Sequence, residues 1–290
     1  MKRFHLFVLV LAAFSLAAPQ TAEAMSHRGG KGGMKGAMKD KGQASKRFAT
    51  MRDNPLSRYA SAGVLKKAGL VETGLRPVYP EAADCLEIES HFSSPTRFDG
   101  SFRVFHAFAG YHSGADISSP TGTPIIAIAD GEVIHKYVGG RLVGNQIYLR
   151  HTPEDTGLPV YIYSKYKHFD KLPDLEIGQR VKMGQFLGPS GDTGTAGGHY
   201  PTGYPHLHLS IYITASAEYS SKKSSVYPID AMHLDPVILH MTRTPPITGS
   251  HAARALPDGE KDVPIAYRTT DGKVVPEGAK IIWPFACKPK

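Results

Sequence analysis

Pro205-His-Leu-His-Leu-Ser-Ile-Tyr-Ile-Thr214 alternates with a period of two, the period of a β-strand. His206 and His208 fall on one face; Leu207, Leu209, Ile211 and Ile213 fall on the other. Two further clusters lie upstream, His112-Ser-Gly-Ala-Asp116 and Tyr166-Lys-His168. His112 and Asp116 are four apart and can share one face of a strand. A helix also brings i and i+4 together, but the Ser and Gly content and the closing Pro120 read as loop and strand. Gly114 between them leaves no side chain in the way of an ion. Four imidazoles and one carboxylate exceed what a single zinc site needs. Three can hold a metal, and two remain for acid–base work.

Outward from these clusters the pattern stays β. Thr123 to Ala129 and Glu132 to Tyr137 flank Asp130-Gly131, which predicts a hairpin. Asn145 to His151 and Val160 to Phe169 read as strands, and Gly178 and Gly184 punctuate short turns. Upstream, Leu56 to Leu70 has apolar residues at helical intervals. Downstream, Thr242-Arg-Thr-Pro-Pro marks a boundary, followed by possible strands at 265–269 and 273–275 around Asp271-Gly272. The fold class expected is mainly β: an antiparallel sheet with a small helical N-terminal segment and a small C-terminal β extension that packs back on the body.

In order along the chain stand His112-Ser-Gly-Ala-Asp116, Ala129-Asp-Gly-Glu-Val, Gly144-Asn-Gln-Ile-Tyr-Leu-Arg-His151, Tyr166-Lys-His168, Met183-Gly-Gln-Phe-Leu-Gly, Gly191-Asp-Thr-Gly194 and Pro205-His-Leu-His208. From His91 to Leu239 this resembles the LytM/lysostaphin-type M23 zinc metallopeptidases, the peptidoglycan endopeptidases. The resemblance implies a twisted, partly open sheet with a metal groove. It implies one Zn2+ held by His112, Asp116 and His208, with His168 and His206 as the catalytic pair acting on a zinc-activated water. Neutral imidazole suits such proton transfer because its ordinary pKa is near 6.5. The substrate implied is a peptide crosslink or bridge of peptidoglycan. Three departures from the family pattern stand out. Leu209-Ser210 follows the His-x-His, which changes the outer partner of the site. The loop 195–204 is long and reads as a mobile wall. Ser164-Lys165 precedes Tyr166 and is read as altering only the strand surface. Of the other histidines, His106 and His199 are the candidates to line the groove.

Residues 1–24 read as a secretory signal: Lys2-Arg3, the apolar run Phe7 to Ala18, and Ala22-Glu-Ala24 as cleavage site. That run is too short to span a bilayer, and no later apolar run is long enough. Of the formal charge of +8, +6 falls in residues 25–47 and +1 in residues 1–24, leaving +1 for 48–290. A nearly neutral body gives no reason to expect a nucleic-acid partner. The Gly/Lys/Met-rich 25–47 reads as a disordered linker, with at most weak electrostatic contact to envelope polyanions. The expected organisation is a flanking segment over 48–87, the metallopeptidase domain over 88–241 and the extension over 242–290. Cys85 and Cys287 stand one on each side of that domain. In an exported chain such a pair suggests one disulfide. The expected location is the periplasm, with an extracellular location as the alternative.

Overall fold

The computed structural model describes residues 50–195 and 204–290, which lie in one compact unit running over 39–290. The signal segment, the basic linker, His199 and most of the loop before Tyr204 lie outside the described residues. The main sheet has eight strands: β1 Ile88–Ser90, β2 Ala115–Ser118, β3 Gly131–Tyr137, β4 Asn145–His151, β5 Tyr161–Phe169, β6 Arg180–Val181, β7 His206–Thr214 and β8 Met232–Leu234. Their order is β1-β2-β7-β5-β4-β3-β6, with β8 also paired to β7, and every pairing is antiparallel. The mainly β, antiparallel class expected from the period of two is borne out.

Register converts that period into two chemically distinct faces. Ile117, Leu207, Leu209, Ile211, Ile162, Tyr166, Ile147 and Leu149 are all buried on the core side. That side is closed by residues far away in sequence: Val263, Ile265, Trp283 and Phe285 join the same cluster. Trp283 is 1% exposed, and its indole N–H donates to the Leu86 carbonyl at 2.8 Å. Residues after 260 are stitched to the N-terminal flank. Asp262–Pro264 runs parallel to Arg76–Val78, Lys288–Pro289 pairs with Ala83–Asp84, and Cys85 is bonded to Cys287. The expected disulfide is present.

Two expectations are corrected. The hairpin around Asp130-Gly131 does not form. Pro124–Ile126 pairs instead with Phe186–Pro189, while β3 pairs with β4 and β6. Asp130 spends its carboxylate on another segment, accepting from the Met183 N–H at 2.7 Å and pairing with Lys182 at 2.9 Å. Gly131 serves close packing, not a turn: a Cβ there would sit 2.6 Å from His151 Nδ1. The helical stretch is also shorter than 56–70, covering Ala62–Lys67 with Ser61 as N-cap. Before it, the Asn54 side chain accepts from the Leu56 N–H at 3.0 Å and holds turns that point Leu56 into a second buried cluster with Tyr148, Tyr163 and Tyr212.

Candidate metal centre and its groove

On the other face of the sheet, one cross-strand line carries the site. Asp116 on β2 lies opposite His208 on β7, which lies opposite Lys167 on β5, which lies opposite Gln146 on β4. The next line is Ser210, Lys165, Tyr148, and the next is Tyr212, Tyr163, Arg150. Side chains directly opposite across antiparallel strands are close enough to interact, so Asp116 and His208 meet by register alone. His112 comes in from the turn before β2. Gly114 permits that approach, but not by clearing a path for an ion as expected. A Cβ on Gly114 would stand 2.3 Å from the Leu209 carbonyl oxygen, so the turn lies directly against β7.

The three donors form a tight triangle. His112 Nε2 and His208 Nδ1 are 2.9 Å apart, and they lie 3.0 Å and 2.8 Å from Asp116 Oδ1. They are the cluster of metal-competent side chains found among the described residues, and all three are buried. The His91 carbonyl accepts the Nδ1–H of His112 at 3.0 Å. In a neutral ring this leaves Nε2 as a bare lone pair facing a carboxylate. Burial keeps His112 and His208 below the ordinary imidazole value despite the nearby Asp116 charge. Burial also opposes the Asp116 charge, but the imidazoles around it, His112 and His206 first, reverse that and hold its carboxyl well below the usual range. His208 turns its other nitrogen, Nε2, to Ser210 Oγ at 2.9 Å. Ser210 is thus the outer partner at the position where the sequence departs from the pattern it resembles. Arg103 grips the far oxygen of Asp116 at 3.2 Å and also donates to Ser90 Oγ at 2.6 Å.

The bare Nε2 of His112 and the carboxylate it faces repel unless a cation or a proton sits between them. Donors held 2.0–2.1 Å from a tetrahedral zinc ion stand about 3.3 Å apart, close to the spacing here. The donor set therefore fits zinc, and the ring nitrogens facing away are pinned as ligand imidazoles require.

His168 and His206 stand beside this triangle. The His206 Nδ1–H donates to the Tyr204 carbonyl at 2.8 Å, and its Nε2 lies 3.5 Å from Asp116 Oδ1. The His168 Nδ1–H donates to the Thr193 carbonyl at 2.6 Å. The two rings are 4.7 Å apart, centroid to centroid. In each, the backbone carbonyl fixes the tautomer and leaves Nε2 free to accept a proton. A strict period of two would send His168 into the core beside Tyr166. A register shift opposite Asn145 and Gln146 inserts one extra residue, and His168 takes φ +71. The bulge re-aims the ring into the groove, at the cost of a left-handed backbone on a non-glycine residue. Burial, reinforced by Lys167, holds His168 well below its ordinary value.

All five residues expected at the site converge. His106 does not line the groove: it sits at an exposed turn of the segment 97–108, which presents Phe98, Arg103 and Phe108 to the groove instead. Tyr204 lines one wall. Its ring stacks on Phe98 at 3.8 Å and on His206 at 4.7 Å, and its hydroxyl donates to Glu89 at 2.6 Å. Lys165 is not mere strand surface either. It faces the groove, while its neighbour Ser164 faces the core and bonds His151 Nε2 at 2.7 Å. Sequence reasoning missed Arg103 and Arg58, because loop and turn residues carry no period that would aim them.

Residues 110–221 match Peptidase family M23. Peptidoglycan DD-endopeptidase ShyC of Vibrio cholerae is 30% identical over 174 residues, 59% of this chain and 33% of that protein. The glycyl-glycine endopeptidase ALE-1 of Staphylococcus capitis is 36% identical over 104 residues, 34% of this chain and 24% of that protein. Among solved structures, the catalytic domain of lysostaphin from Staphylococcus simulans covers 44% of this chain and 77% of its own, with 29% identity and a TM-score of 0.32. The chain spans about a third or less of the length of these curated relatives.

Proposed function

We propose that this chain, whose residues 110–221 match Peptidase family M23, is an exported zinc endopeptidase of that family that hydrolyses peptide crosslinks of peptidoglycan. The observation that carries this reading is the buried triangle of His112, Asp116 and His208 with two further imidazoles at its edge. In this reading those three residues hold the ion. Zinc supplies Lewis acidity there, polarising a peptide carbonyl and acidifying water. The remaining work falls to the chain. His168 and His206, each with Nδ1 pinned to a carbonyl, present Nε2 to the reacting atoms. One takes the proton of the attacking water, and the other serves the developing oxyanion or the leaving amine. Positioned transfers of this kind contribute about 10²–10⁴-fold. Arg103 and Ser210 hold Asp116 and His208 in place from outside.

For the bond, a D,D crosslink between peptide stems is favoured over a glycine bridge. The relative that overlaps 59% of this chain is named a DD-endopeptidase. The signal-like residues 1–24 and the disulfide support a periplasmic location in this reading. Among the described residues no helix is long and apolar enough to cross a membrane.

The test is digestion of purified, crosslinked peptidoglycan with and without a chelator, with mass spectrometry of the released muropeptides. Chelator-sensitive appearance of uncrosslinked stems is the expected outcome. A folded, zinc-loaded protein that releases nothing, yet enhances a partner amidase, would replace this reading with a non-enzymatic scaffold.

A further inference from the structure

The groove beside the triangle opens into a cavity of about 200 Å³ whose lining carries Arg58, Arg97, Arg103, Lys165 and Lys167 against one carboxylate, Asp116. Two of the five cations are already engaged. Arg103 binds Asp116 and Ser90, and Arg97 binds Ser101 Oγ at 3.1 Å and the Phe102 carbonyl at 2.6 Å. The other three make no ion pair among the described residues. Lys165 lies 5.1 Å over the Tyr148 ring. Lys167 feels the Asp116 charge but is outnumbered by the cations around it. Arg58 has its Nε buried without a hydrogen-bond partner. Each of these three lies within electrostatic reach of the other two. Lys165 and Lys167 are half-buried, and like charges gathered away from water oppose folding unless an anion joins them.

We infer that Arg58, Lys165 and Lys167 form a subsite for a free carboxylate of the peptide substrate. The inference rests on the peptidase reading above and adds the substrate's charge to it. Position sets which residue carries the carboxylate. Lys167 is on the strand next to His208 and two strands from Asp116. Strands are spaced about 4.8 Å apart, and an extended peptide advances about 3.5 Å per residue. A carboxylate at the subsite therefore belongs to a residue flanking the scissile bond. The substrate class is an acidic peptide that is unamidated at that residue, and amidation removes the recognised group. Arg58 reaches the subsite from the N-terminal flank. That segment thus forms a wall of the substrate groove and adds no ligand to the metal triangle.

The experiment compares two synthetic crosslinked peptides identical except for a free carboxylate or a carboxamide on the flanking residue. The wild-type protein should prefer the carboxylate peptide in kcat/KM by roughly 10- to 100-fold, the range of a charge-assisted hydrogen bond. Lys167→Gln on the groove floor and Arg58→Gln on the opposite wall should each pull that ratio toward one. A wild-type ratio of one, or a ratio unchanged in both variants, overturns the subsite. Calorimetric binding of both peptides to the chelator-treated protein separates the two readings. Preferential binding of the carboxylate peptide without any hydrolysis in the zinc-loaded protein keeps the subsite and sinks the peptidase. Equal binding of both peptides sinks the subsite, whatever the hydrolysis.

Discussion

The two faces of the main sheet are made by the same strands and obey opposite rules. On the back, Leu207, Leu209, Ile211, Ile147 and Leu149 meet Trp283 and Phe285 in a closed apolar cluster. On the front, alternate residues of the same strands, joined by His112 and Arg58 from turns, gather imidazoles around one carboxylate and three cations that make no ion pair among the described residues. The difference teaches that stability and chemistry are separable here residue by residue, because a strand sends neighbours to opposite sides. The back satisfies itself. The front is completed only by a cation and an acidic ligand.

Substitutions on the front should therefore cost turnover before they cost folding. His206→Ala should retain zinc and lose about 10²–10⁴-fold in hydrolysis, whereas Asp116→Ala should lower zinc occupancy itself. Metal analysis beside muropeptide release distinguishes the two, and full activity in His206→Ala would break the proposed division of labour. Substitutions on the back should do the reverse. Trp283→Ala removes a side chain that is 1% exposed and should cost about 3–5 kcal/mol of stability, read in denaturant melts, with zinc still bound by the folded fraction. Opening the Cys85–Cys287 bond, which links positions 202 residues apart, should cost about 2–4 kcal/mol. Unchanged melting in reductant would mean that the extension seals the core without its covalent tie.

The smallest effect per residue is on pH dependence. Burial holds His151, His233 and His240 at about 4. Unfolded, each takes up its proton near 6.5, so the stability from keeping them neutral is complete above that value and is lost as pH falls toward 4. At pH 5 the loss is on the order of 2 kcal/mol for each. Replacing His240 by Gln should flatten the fall in melting temperature between pH 7 and 5, and an unchanged slope would show that its burial is not what the acid limb reports.

The site was legible to different depths. His112, Asp116 and His208 could be picked out because the motif spacing resembles a family, and His206 and His208 because period two puts them on one face. The bulge at His168 was not legible. A non-glycine residue at φ +71 follows from the β4 register and the Thr193 carbonyl, neither of which is local. Asp130-Gly131 misled for the same reason: the dipeptide is a good local turn, but long-range pairing of Pro124–Ile126 with Phe186–Pro189 used the strand elsewhere.

Alternation along 205–214 and 145–169, read by itself, determined that the molecule is a sheet with one oily and one polar side. The motif spacing, beside it, singled out the residues that carry the candidate chemistry. Which strands lie side by side was decided only in three dimensions, and with it the line from Asp116 through His208 and Lys167 to Gln146. So was the arrival of Arg58 and Arg103 from remote turns at the same cavity. The reason is physical: side-chain direction along a strand is a local property of the backbone, whereas register, bulges and loop reach are set by contacts between segments far apart in the chain.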